Sequence, residues 1–122
     1  MNQHLRAPVL PQDAAVPRRR WRASEIERAV EAGVIAHDER IELVDGEIVV
    51  MAAKGRRHGI VRTELAFHWS RLCPDDVVLA AEPAFRLDDH YEPEPDIILF
   101  PRTLFAPDVR GDTVLLVVEI SD

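Results

Sequence analysis

At 122 residues, with a formal net charge of −7, 47% hydrophobic and 30% charged residues, the chain has the length of one globular domain and an ordinary soluble composition. No apolar run approaches the roughly 20 residues that a membrane helix needs, and Met1-Asn2-Gln3-His4-Leu5-Arg6 lacks the apolar stretch of a secretory signal, so neither insertion nor export is expected. The single cysteine, Cys73, cannot close an internal disulfide, which fits a reducing cytoplasm, and a pI near 5.2 argues against holding nucleic acid through a broadly basic face.

Residues 1–20 hold three prolines and no periodicity, so they are expected to form a mobile arm ahead of one domain over 21–122. Arg18-Arg19-Arg20-Trp21-Arg22 could follow a nucleic-acid backbone, although such a run more often stays solvated. Ser24 and Glu27 have the spacing of a capping box, Ile26, Ala29 and Val30 fall on one face, and Gly33 can supply a left-handed stop. A short helix from Ser24 to about Ala32 follows.

Asp45-Gly46 is a two-residue hairpin signal, predicting strands over 40–44 and 47–51. In that register Leu43 faces Ile48 and Ile41 faces Val50 on an apolar side, while Glu42 and Glu47 lie on the wetter one. From Arg57 to Cys73 the stripe Val61, Leu65, Trp69 and Leu72 predicts a helix ended by Pro74. Phe67 and Trp69 on that helix are read as core, and Cys73 as packing. Strands are then expected over 77–81 and 84–87, interrupted at Glu82-Pro83, followed by a turn at Asp88-Asp89-His90 and strands over 96–100 and 113–120.

Eight acids against one base, Arg86, lie between Asp75 and Asp96, which equals the net charge of the entire chain. The acidity is therefore one patch. Within it, Asp96 opens the apolar run Ile97-Ile98-Leu99-Phe100, and Glu119 closes the run Val114-Leu115-Leu116-Val117-Val118. Two acids at the start of one buried strand and the end of another can meet at one sheet edge. Carboxylates brought together with no base beside them repel, so such a pair usually shares a proton or binds a divalent cation.

Val114 to Val118 is apolar throughout, as in a central strand covered on both faces. Only four residues follow it, so either the domain continues beyond Asp122 or another chain covers the strand, with self-association as the consequence.

The succession Arg40-Ile41-Glu42-Leu43-Val44-Asp45-Gly46-Glu47-Ile48-Val49-Val50-Met51, Arg57-His58, Arg86-Leu87-Asp88-Asp89-His90, Pro93-Glu94-Pro95-Asp96 and Leu116-Val117-Val118-Glu119-Ile120-Ser121 resembles the Uma-two family of restriction endonucleases, across nearly all of 21–122. That family belongs to the PD-(D/E)xK nuclease superfamily. The resemblance implies an α/β (α+β mixed sheet) fold with a restriction-endonuclease-like core, here incomplete at its C-terminal end. It also implies that Asp96 is the acid of the PD element and Glu119 the second acid, that Mg²⁺ or Mn²⁺ is the cofactor, and that DNA is the substrate. The superfamily's lysine commonly lies two residues after the second acid, where this chain has Ser121, and the resembled family places its base farther downstream, past Asp122. Lys54, the sole lysine, is a conceivable substitute for that base, but it follows the hairpin and nothing in the sequence places it at the site.

Among secondary candidates, His58 opens the long helix beside two arginines. It could contact phosphate or tune the site, or simply be an exposed helix-start histidine. Glu42 is either a third metal ligand or a solvated edge charge. His37, His68 and His90 have no metal-ligand spacing. The sequence contains no P-loop, dinucleotide fingerprint or nucleophile elbow. Two functions stand: a metal-dependent endonuclease acting through Asp96 and Glu119, expected to be inactive in this chain by itself if the family's downstream base is required, or a non-catalytic interaction module on a degenerate nuclease fold, binding a partner or forming a homodimer through a sheet edge.

Overall fold

The computed structural model describes residues 16–121; the expected arm falls mostly outside them. Among the described residues, two α-helices and five strands form an α+β architecture, in the order α1 (Ala23–Glu31), β1 (Ile41–Val44), β2 (Glu47–Val50), α2 (Arg56–Leu72), β3 (Val77–Ala81), β4 (Ile97–Pro101) and β5 (Leu116–Val118). The described strands pair antiparallel throughout, in a hairpin of β1 and β2 and a sheet of order β3-β4-β5. Reciprocal hydrogen bonds between Leu43 and Glu92 (3.1 and 2.8 Å) tie the hairpin to the segment leading into β4.

α1 begins one residue earlier than Ser24 would set it. Ala23 is already helical and buried, its N–H donating to the Asp89 carbonyl at 2.7 Å, and Arg22 takes the extended backbone of the cap. Glu25, three residues on, accepts from the Arg22 N–H at 3.1 Å, so it fills the role expected of Glu27. Glu27 instead pairs with Arg86. Gly33, at φ +75°, stops the helix as expected.

The hairpin register is Ile41↔Val50, Glu42↔Val49, Leu43↔Ile48 and Val44↔Glu47, as the Asp45-Gly46 turn requires. Both turn residues have positive φ, +47° and +80°. Residues 18–22 do not extend away as an arm. Trp21 N–H donates to the Gly46 carbonyl at 2.9 Å, Arg18 pairs with Glu47 at 3.3 Å, and Arg20 with Asp45 at 2.6 Å. A Cβ on Gly46 would stand 2.7 Å from Arg20 Cβ and 2.9 Å from its Cα, in a backbone region that L side chains avoid. Gly46→Ala is therefore expected to destabilise the fold by about 1–3 kcal/mol, read as a lowered denaturation midpoint. An unchanged midpoint would refute this account of the turn.

α2 ends where Pro74 forces Cys73 out of helical backbone. Its apolar stripe is only partly covered: Leu65 and Trp69 are half-buried, while Val61 and Leu72 are exposed. Phe67, expected in the core, is 62% exposed with Arg71 over its ring, because it lies outside that stripe. Residues 84–87 add no strand to the three-stranded sheet. They run back along 91–93, Phe85 N–H donating to the Pro93 carbonyl at 3.0 Å and Leu87 N–H to the Tyr91 carbonyl at 2.9 Å, around the expected turn at 88–90.

The strand expected over 113–120 is shorter than its apolar run, and the described residues do not supply the cover which that run calls for. β5 spans three residues, pairs with β4 alone among the described strands, and leaves Leu116 and Val117 exposed. An unbroken apolar run shows that both faces are apolar, not that both are covered. The central strand is β4, whose Ile98 and Phe100 pack with Phe85 and Val109 into the buried cluster. Fully burying each such side chain contributes about 1.5–3 kcal/mol, so this cluster anchors the strand that Asp96 opens.

Candidate active site

Antiparallel pairing of Ile97 with Val118 sets the residue before β4 opposite the residue after β5. Those residues are Asp96 and Glu119. Asp96 is 1% exposed and accepts from the Ile120 N–H through Oδ2 at 2.7 Å, while Glu119 lines the same groove. The expected meeting of the two acids is thus a direct product of strand register.

The N-terminal end of α2 and the loop ahead of it complete the surroundings. His58, in the first turn of α2, is 4% exposed, and its Nε2 donates to Asp96 Oδ1 at 2.9 Å. Since a carboxylate only accepts, this contact assigns the proton to Nε2; Nδ1 is buried with no protein partner. The exposed helix-start reading of His58 does not hold. Lys54, from the loop between β2 and α2, places Nζ 2.7 Å from the same Oδ1 and 3.8 Å from Glu82 Oε1. Arg62, four residues after His58 and so on the same helix face, pairs with Glu82. Glu42 lines the groove with Lys54, His58, Asp96 and Glu119, and its Oε1 accepts from the Glu94 N–H at 3.1 Å.

Burial pushes Asp96 up, but hydrogen bonds from Lys54, the Ile120 amide and His58, with the lysine's charge, outweigh it and hold this carboxyl below its ordinary range. Glu119 goes the other way. Partial burial of its carboxyl and then the negative charge of Asp96 push it up, Lys54 opposes them, and Glu42 adds to the rise. Folded Glu119 therefore holds its proton more tightly than the unfolded chain does. It favours the fold below about pH 4.3, a contribution lost as pH rises through its folded value. Glu119→Gln, which cannot ionise, is expected to gain melting temperature relative to the wild type as metal-free buffer is taken from pH 4 to pH 8. A difference that stays flat with pH would contradict the repulsion.

Among the described residues, no three His, Cys, Asp or Glu side chains converge into a ready metal cage. Asp96 and Glu119 nonetheless present the hard oxygen ligands that Mg²⁺ or Mn²⁺ takes, and such ions are often held by one or two carboxylates with waters completing the shell. The like-charge repulsion at Glu119 is what a divalent cation would relieve. The acid pair fits such an ion; Glu42 stands behind it with one oxygen already engaged.

Lys54 is the residue that the sequence named but could not place at the site. Its signal was indirect: it is the only lysine in a chain with 14 arginines, four residues ahead of His58 in the loop that opens α2. His37, His68 and His90 do not line this groove. His90 Nδ1 instead meets the Trp21 carbonyl at 2.9 Å. The arginine run at 18–22 is largely spent on Glu25, Asp45 and Glu47. No helix among the described residues is long and apolar enough to cross a membrane.

Residues 24–122 match a protein-family model described as Uma2, putative restriction endonuclease. No curated protein and no solved structure matches the chain.

Proposed function

The chain belongs to the Uma2 family of putative restriction endonucleases, and from that membership we propose that it is a cytoplasmic, divalent-metal-dependent endonuclease whose site is the groove around Asp96 and Glu119. The observation that carries this is the strand register that sets a buried acid opposite a second acid at the end of a sheet, in one groove. Asp96 and Glu119 would hold Mg²⁺ or Mn²⁺, with Glu42 as an outer third acid. Bound there, the cation supplies Lewis acidity toward a phosphoryl oxygen and lowers the pKa of a water.

The chain's own residues set the rest. Hydrolysis of a DNA phosphodiester adds the oxygen of water to phosphorus as the water gives up a proton. The ester P–O bond breaks, and its electron pair leaves on the sugar oxygen, which takes up a proton. His58 fixes the rotation of Asp96 through the Nε2 bond and excludes water from its inner side. The Ile120 amide fixes the other oxygen. Neither group needs to change protonation for that work. The exposed β5 residues Leu116 and Val117 offer an edge for a second copy, which light scattering would read.

Plasmid nicking tests the function. The wild type is expected to convert supercoiled to open-circular DNA with Mn²⁺ or Mg²⁺ and not with EDTA, and Glu119→Gln is expected to lose at least about 100-fold of that rate. Metal binding without nicking would instead favour the non-catalytic module.

A further inference from the structure

We propose that Lys54 is the phosphate-facing catalytic cation of this groove, and that Glu82, clamped by Arg62, is the positioning residue that holds it there. The proposal rests on the nuclease reading of Asp96 and Glu119 and adds the charge that reading leaves unassigned.

Lys54 is the chain's one lysine, and its side chain turns inward from a loop rather than out to water. Nζ sits between two carboxylates, 2.7 Å from Asp96 and 3.8 Å from Glu82, with the side chain still 20% exposed. Asp96, by contrast, is sealed at 1%. A cation that is anchored yet open on one side can meet a phosphate oxygen without leaving its place. The ammonium has three donors and hydrogen-bonds only Asp96, with Glu82 an ion-pair partner at 3.8 Å, so it can keep both anchors and still offer a donor to charge developing on phosphorus-bound oxygen. Its role is to donate hydrogen bonds, and it transfers no proton.

Glu82 is held for this task at some strain. It is a non-glycine residue at φ +49°, a backbone region that L side chains rarely adopt and that clusters at functional sites. Its N–H donates to the Asp96 carbonyl at 2.9 Å, which pins its backbone to the residue whose side chain Lys54 holds. Its Oε1 takes Arg62 and faces Lys54 Nζ as well. One face of α2 thus secures both anchors, His58 on Asp96 and Arg62 on Glu82.

A chain with one lysine gives one side-chain resonance, so the test is direct. The 122-residue protein labelled with ¹³C,¹⁵N-lysine is expected to show a single shifted Lys54 signal that moves in Asp96→Asn and in Glu82→Gln, and returns part-way in Glu82→Asp. Lys54→Met is expected to lose at least about 100-fold in plasmid nicking, and Glu82→Gln about 10-fold, while both still bind Mn²⁺ by titration calorimetry. A Lys54 signal indifferent to both acids, or nicking by Lys54→Met at the wild-type rate, overturns the proposal. A wild type that neither binds Mn²⁺ nor nicks overturns the nuclease reading and the catalytic role with it. The resonance then still decides whether Glu82 positions Lys54.

Discussion

Asp96→Asn is expected to destabilise the protein by about 2–4 kcal/mol at pH 7, to remove the rise in melting temperature that Mn²⁺ or Mg²⁺ gives the wild type, and to abolish nicking. The carboxylate is sealed from water and accepts from Lys54, His58 and the Ile120 amide. Breaking a buried pair by neutralising one partner costs about 3–5 kcal/mol; the lower range applies here because Lys54 is partly open and can shift toward Glu82. The pH dependence has a definite sign. A carboxyl held below its ordinary range adds stability above its unfolded pKa of about 3.9, and that stability is lost as pH falls through the folded value. Wild type and variant should therefore diverge above about pH 4 and converge in stronger acid. Because a ligand that binds only the folded state stabilises by mass action, the metal-dependent part of the melt should vanish with the carboxylate. Parallel pH curves would contradict the assigned bonds.

Phe85→Ala is expected to cost about 3–5 kcal/mol and to take the site with it. Phe85 is 2% exposed and packs against Ile98, Phe100 and Val109, yet it lies on a segment held by backbone bonds to 91–93 rather than in a strand. Its ring therefore supports β4 from below while its backbone fixes the approach to Asp96. Truncation leaves a cavity that the pinned backbone cannot close. Unlike Asp96→Asn, this variant should lose near-UV dichroism as well as nicking. A melting temperature within two or three degrees of the wild type would show that the cluster is not the support of β4.

The sequence carried the local elements well where the signal was local. Asp45-Gly46 determined both turn dihedrals and the full hairpin register, and Pro74 determined the end of α2. The meeting of Asp96 and Glu119 was legible because two apolar runs, one opened and one closed by an acid, have that geometry when they pair antiparallel. Coverage was not legible. The run 114–118 reads the same whether it is central or at an edge, and only the neighbours seen in the fold distinguish the two. The helix start was misplaced because Ser24 and Glu27 match the capping pattern better than Arg22 and Glu25, whose cap has no side-chain acceptor, and the earlier start is supported by the distant Asp89 carbonyl, which fixes Ala23. Lys54 and the burial of His58 were hidden for a related reason. Both depend on how the loop at 51–55 lays the opening turn of α2 against the sheet edge, a long-range contact with no periodic signature.

The central claim is that Asp96 and Glu119 together form a divalent-cation site, and titration of Mn²⁺ into the full chain, followed by calorimetry, tests it most directly. Mn²⁺ is expected to bind the wild type at one-to-one stoichiometry, to bind at least about tenfold more weakly to Glu119→Gln, and to leave Asp96→Asn untouched. Equal Mn²⁺ affinity for all three proteins, or no heat of binding to a folded wild type, would contradict it.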